Sequence, residues 1–206
     1  RKGKAVQMIT EEILDLLRIK VKSYVNERTY SHILGVEREA ASLADIYLPE
    51  GERNKARAAA LRHDITKNET VEKQLQYCRE FGIILGVDPL SPKLYHSKTA
   101  AVLIERDFPE FADPEIVSAV RWHTTGRDNM TVFEAIIYLA DYIEPGRAMD
   151  CKPHPLQEVR AACFQNLDNG MRFALENGIS YLREQNQPID TISLETYEWY
   201  QKGITL

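Results

Sequence analysis

Only three cysteines, Cys78, Cys151 and Cys163, occur in 206 residues, and no two of them form a CxxC pair. So small and scattered a set excludes a disulfide framework and a thiolate zinc site, and the expected setting is reducing and cytoplasmic. Long apolar runs are missing too; nothing approaches the about 18–20 consecutive apolar residues of a membrane-spanning helix. The basic amino end, Arg1 to Gln7, is followed by no signal-type apolar core, because Glu11, Glu12 and Asp15 interrupt it. Positive charge is not in excess. Lys and Arg number 26 against 31 Asp and Glu, a net charge of −5. That is the wrong sign for a protein that tracks nucleic acid or an anionic membrane, so neither is expected as a partner. An anionic small substrate stays open, since a bound metal can supply the local positive charge. The P-loop, GxGxxG and GxSxG strings are absent, and with them the usual signals of ATPases, dinucleotide-binding folds and serine hydrolases.

What is present is helix. Hydrophobic residues make up 44% and charged residues 28%, an ordinary soluble composition with enough length for one sizeable core. Ile9, Ile13, Leu16, Leu17 and Val21 recur at helical spacing after Thr10. A second helix is expected from Tyr30 to Tyr47, and a third, alanine-rich, from Glu52 to Leu61. Asn68 is expected to cap a fourth, which Gly82 stops. His96 opens the next. Asp113-Pro114 starts another, which ends around His123. Thr131-x-x-Glu134 reads as a capping box for a very apolar helix that carries Asp141 and ends at Pro145-Gly146. After Pro155 a long helical stretch to about Asn177 is expected, with a bend near Gly170. A short helix around Tyr181 and a last one over Leu194 to Gln201 follow. No period-2 alternation, repeat or low-complexity linker interrupts this pattern. The expected fold class is all-α: a single compact helical domain over 1–206, with its core at about 10–200.

Four of the five histidines fall at telling positions. His32 sits among apolar helix residues, His63 is followed directly by Asp64, and His96 and His123 lie at helix ends. Asp141 lies in the most hydrophobic helix, where a carboxylate is costly to bury without a partner. Taken singly, His32 reads as a packing residue, and Asp141 as an acid paired with an arginine such as Arg121. Taken together, three or more imidazoles and two carboxylates on separate helices match a mixed nitrogen and oxygen metal site. Such a set leaves coordination positions open for water and a phosphate oxygen. Lys67, three residues after Asp64, and Arg147, after Gly146, offer positive charge suited to phosphate, with Arg127 a weaker candidate. His154, between two prolines, reads as a surface loop residue, and Trp122 as core beside the site.

The strings TYSHILGVEREAASLA, ALRHDITK, RWHTTGRDNMTVFEAIIYLADYIEPGR and NGISYLREQNQPI resemble the HD-domain metal-dependent phosphohydrolases. Within that all-helical superfamily they resemble the bacterial YqeK-type symmetrical bis(5'-nucleosyl)-tetraphosphatases, from about Ile13 to about Tyr197. One departure is Arg62, where an apolar residue is commoner and whose side chain is expected to point outward. The resemblance implies that His32, His63, Asp64 and Asp141 ligate a divalent metal, with ferrous iron favoured and manganese, cobalt or magnesium as alternatives. It implies that His96 and His123 hold a second ion or touch substrate phosphates. Asp64, Lys67, His96 and His123 are the implied catalytic set. His32, Lys67, His96, His123, Thr124, Tyr142 and Arg147 are the implied substrate contacts, and the segment from Asn177 to Ile189 is expected near the adenosine end. The implied reaction is symmetrical hydrolysis of diadenosine tetraphosphate to two ADP, using water activated by the metal. Another nucleotide or deoxynucleotide phosphohydrolase, a di-iron oxygenase and a non-catalytic nucleotide sensor stay open as rivals. Expected partners are a dinucleoside polyphosphate or other nucleotide, and a second copy of the chain as an open possibility.

Overall fold

A computed structural model describes residues 8–83, 92–146 and 152–203, and among these residues all regular structure is helical. The helices are α1 (Glu11–Lys22), α2 (Glu27–Tyr47), α3 (Arg53–Arg62), α4 (Val71–Glu80), α5 (Tyr95–Asp107), α6 (Pro114–Trp122), α7 (Val132–Ile143), α8 (Leu156–Gln165), α9 (Leu167–Glu184) and α10 (Thr191–Gln201). Short 3-10 turns at Pro92–Leu94 and Pro109–Phe111 precede α5 and α6.

Alanine decides how closely the inner helices meet. Ala56, Ala58, Ala59 and Ala60 of α3 are completely buried. Their small side chains let α1, α2, α6 and α7 all pack on this one helix. Helix α7 buries Phe133, Ile136, Ile137, Leu139 and Ile143 and touches α2, α3, α6, α8 and α9, so it is the central element its composition predicts. One contiguous core cluster runs from Leu14 of α1 to Tyr200 of α10.

The predicted starts of α6 and α7 are present. Asp113 Oδ1 accepts from the Glu115 amide (2.8 Å) with Pro114 in the first turn, and Thr131 and Glu134 form the reciprocal capping box. Other boundaries differ from expectation. Helix α2 begins at Glu27 because Asn26 Oδ1 accepts from the Thr29 amide at 2.9 Å. Thr70, not Asn68, caps α4, while Asn68 Oδ1 accepts from the Asn26 amide and ties the turn after α3 to the start of α2. The stretch after Pro155 is two helices. Asn166 breaks it with extended geometry (φ −158°, ψ 117°) and caps the second through the Asn169 amide. No bend falls at Gly170, and Tyr181 lies within the continuous α9.

Arg62 does not point outward. It is completely buried; Nε donates to Ala58 O (2.8 Å), Nη1 donates to Phe111 O (3.1 Å), and the guanidinium lies 5.6 Å from the Phe108 ring centre. Burial pushes its pKa down to about 9, with Glu110 and Asp113 pulling the other way. The side chain therefore fastens α3 to the connection between α5 and α6.

Candidate metal centre

Four helix ends and one helix interior deliver the histidines and carboxylates to one place. His63 is the carboxy-terminal cap of α3, Asp64 follows in the turn, and His96 lies in the first turn of α5. His123 caps the carboxy end of α6, Asp141 projects from α7, and His32 sits inside α2. The turn carrying His63 and Asp64 is locked to α5 by Thr66, whose hydroxyl donates to His96 O (2.9 Å) and pairs with Thr99 Oγ1 (2.8 Å).

Ligand atoms of His32, His63, Asp64 and Asp141 all lie within 4.8 Å of one another, and those of Asp64, His96 and His123 form a second such group. Asp64, completely buried, belongs to both. His32 Nε2 lies 2.8 Å from Asp141 Oδ1, so the buried acid of α7 has His32 rather than Arg121 as its partner. His63 Nε2 lies 3.2 Å from Asp64 Oδ2, and His96 Nε2 lies 3.2 Å from Asp64 Oδ1. The four rings form a chain, with centroids 5.5, 4.9 and 5.1 Å apart from His32 through His63 and His123 to His96.

The outer nitrogens fix how these rings are protonated. His63 Nδ1 faces Ala60 O (2.6 Å), His96 Nδ1 faces Lys93 O (2.7 Å) and His123 Nδ1 faces Val120 O (2.7 Å). A carbonyl oxygen only accepts, so each Nδ1 carries hydrogen and each Nε2 is free to present a lone pair inward. Two results mark the centre as fit for a cation. Although oppositely charged groups lie near, His63 Nε2 and Asp64 Oδ1 are buried with no aligned hydrogen bond. The Nε2 atoms of His96 and His123 face each other at 3.2 Å, and two lone pairs so placed need a proton or a metal ion between them.

Burial and neighbouring charge set the titration of the metal-free cluster. Burial disfavours the His63 imidazolium, but Asp64 and Asp141 outweigh it and lift the pKa to about 9. Burial would raise Asp64, but His63, His123 and His96 hold it well below the usual carboxylate range. Burial pushes His123 down to about 4 despite Asp64 beside it.

The outer predicted residues are placed less uniformly. Lys67 Nζ donates to Asp64 Oδ2 at 2.6 Å, from an exposed position at the edge of the cluster. Thr124 Oγ1 meets Ser97 Oγ at 2.9 Å, joining the ends of α5 and α6 next to His96 and His123. Tyr142 is buried in α7, adjacent in sequence to Asp141. Arg147 lies outside the described residues, as does Cys151. Arg127 pairs with the capping-box acid of α7, Nη2 lying 2.8 Å from Glu134 Oε2. Trp122 is only half-buried. Asn177, first of the segment expected near adenosine, clamps His154, accepting from its amide (2.8 Å) and donating to its carbonyl (2.7 Å). His154 stacks on Phe173 (3.9 Å) and meets Glu176 Oε2 at 3.0 Å, so it anchors its loop to α9 rather than standing free in solvent.

Sequence reasoning missed Thr66 and Glu144. Both lie inside strings that stood out, ALRHDITK and DYIEPGR, but no role was attached to either. Glu144 is 4% exposed and its Oε2 lies 3.1 Å from His32 Nδ1. The available signal was an acid placed between the apolar helix that carries Asp141 and the Pro145-Gly146 that ends it.

Compared with known proteins, residues 29–146 match the family model of the HD domain. The chain is 32% identical over 183 residues to the protein of Bacillus subtilis (strain 168) named bis(5'-nucleosyl)-tetraphosphatase, symmetrical, covering 89% of this chain and 95% of that one. A protein of the same name from Halalkalibacterium halodurans is 32% identical over 196 residues, 95% of either chain. Among solved structures, the chain resembles a Clostridium acetobutylicum protein described as a predicted HD superfamily hydrolase involved in NAD metabolism. The TM-score is 0.82 at 31% identity, over 92% of this chain and 97% of that one.

Proposed function

The chain belongs to the HD domain family, and we propose that it is a metal-dependent hydrolase cleaving diadenosine tetraphosphate symmetrically into two ADP. The observation that carries this reading is the convergence of four imidazole Nε2 atoms, each with its Nδ1 engaged, on Asp64 and Asp141. His32, His63, Asp64 and Asp141 would hold a divalent ion, ferrous iron foremost, and Asp64, His96 and His123 a second. A divalent ion there supplies charge for phosphoryl oxygens and acidifies a water.

The protein's own groups do the rest. Lys67 reaches the polyphosphate from the open edge of the cluster while remaining within reach of Asp64. His123, whose pKa of about 4 keeps it neutral at pH 7, offers Nε2 to an ion and does not add a second positive charge beside His63. His96 and Thr124, held by the contact between Ser97 and Thr124, line the phosphate path, and Tyr142 and Arg147 complete the nucleotide contacts. The scattered cysteines support a cytoplasmic setting for this chemistry.

Product analysis of the metal-loaded protein with a panel of dinucleoside polyphosphates and mononucleotides tests the proposal. ADP as sole product from diadenosine tetraphosphate is expected. ATP together with AMP would mean attack at a different phosphorus. Inorganic phosphate released from mononucleotides, with dinucleotides untouched, would replace this reading by a general phosphohydrolase.

A further inference from the structure

Three of the four converging histidines and the fourth are held differently, and the reason lies in the helix itself. His63 and His123 cap the carboxy ends of α3 and α6, where Nδ1 meets a carbonyl of the last turn, and His96 Nδ1 meets the Lys93 carbonyl in the 3-10 turn that precedes α5. His32 is the sixth residue of α2, where carbonyls are already taken by the helix's own amides. Its Nδ1 instead meets a carboxylate from another helix end, Glu144 Oε2 at 3.1 Å.

Both oxygens of Glu144 are assigned. Oε1 accepts from the Gly146 amide at 2.7 Å, which fixes the orientation of the carboxylate and leaves Oε2 for His32. The space for this is made by glycine. A Cβ on Gly35, one helical turn along α2 from His32, would fall 2.3 Å from Oε1 and 2.5 Å from Cγ of Glu144. A Cβ on Gly146 would fall 2.9 Å from Oε1. Glu144 is thus buried in a cradle shaped by two glycines and aimed at one ring nitrogen.

We propose that Glu144 is the positioning residue of the metal centre: it fixes His32 with hydrogen on Nδ1 and the Nε2 lone pair aimed at the ion, and Gly35 keeps the space that allows it. The inference rests on the metal-centre reading above. It makes an unusual demand of the conservative variant. In Glu144→Gln the Gly146 amide still holds the oxygen, so the amide nitrogen faces His32. That nitrogen donates to Nδ1, so the hydrogen of a neutral ring sits on Nε2 and occupies the lone pair the ion requires.

The test is Mn(II) titration, by calorimetry, of the wild type, His32→Ala, Glu144→Ala, Glu144→Gln and Gly35→Ala, with helix content checked by circular dichroism. Nitrogen-15 spectra of the metal-free proteins report the His32 tautomer. Glu144→Gln should bind Mn(II) about 10–100-fold more weakly, with no rescue relative to Glu144→Ala. Gly35→Ala should weaken binding in the same direction with helix content kept, since alanine suits a helix interior better than glycine. Nδ1 of His32 should carry hydrogen in the wild type and lose it in Glu144→Gln, while Nε2, 2.8 Å from Asp141 Oδ1, keeps its own. Wild-type affinity in Glu144→Gln and Gly35→Ala, alongside a loss in His32→Ala, would overturn this inference alone. Wild-type affinity in His32→Ala would overturn the metal-centre reading and the inference with it.

Discussion

At the scale of single residues, the cluster is a competition between protons and a cation. Without metal, His63 keeps its proton up to a pKa of about 9, because Asp64 and Asp141 outweigh the effect of burial. Ligation needs the same nitrogen as a lone pair, so binding an ion must release that proton. Below about pH 9 the apparent affinity therefore rises with pH, by up to about tenfold per unit from this group alone. Mn(II) titrations across about pH 6 to 9 measure the slope; a flat profile would show that His63 is not displaced of its proton and is not a ligand. The residues themselves were legible early. Histidines and aspartates on separate helices have few reasons to be buried together, and the string around Asp64 is distinctive. Their tautomers were not legible, because each depends on which carbonyl or carboxylate the folded chain brings behind the ring. For the same reason Glu144 passed unnoticed, and Arg62 was expected outside when it reaches Phe111 O from within the core.

At the scale of helices, explicit caps were readable and silent breaks were not. Asp113-Pro114 and Thr131-x-x-Glu134 each satisfy free amides by local chemistry, so sequence alone located them. The division at Asn166 carries no proline or glycine; Asn166 caps α9 through the Asn169 amide, and a single asparagine inside a helical pattern is too common to mark a break before the chain is folded. Gly170, read as a bend, serves close approach instead. A Cβ there would lie 2.6 Å from Cys163 Sγ and 3.0 Å from Cys163 Cα, whereas a Cβ on Gly178 of the same helix would meet nothing within 4 Å. Gly170→Ala should therefore lower stability by about 1–3 kcal/mol through overpacking against backbone. Gly178→Ala should raise it by about 0.5–1 kcal/mol through helix propensity. Urea unfolding of the two variants checks both, and equal effects would show that α8 can move away from α9 without cost.

At the scale of the whole molecule, an acidic protein with a net charge of −5 is proposed to bind a polyphosphate. Its overall field opposes that substrate, so attraction has to be local, concentrated where Asp64, Lys67 and the four histidines meet. The all-helical class and the central place of α7 followed from composition and periodicity. What no single segment contains is the meeting point itself, since His32 and Asp141 are 109 positions apart and touch at 2.8 Å only once α2 packs on α7. The account stands on that meeting point being a metal centre. An anomalous difference map from crystals grown with Mn(II) locates the ion directly. The expected result is a peak enclosed by His32 Nε2, His63 Nε2, Asp64 and Asp141; an Mn(II)-bound protein whose anomalous peaks all lie away from these four side chains would contradict it.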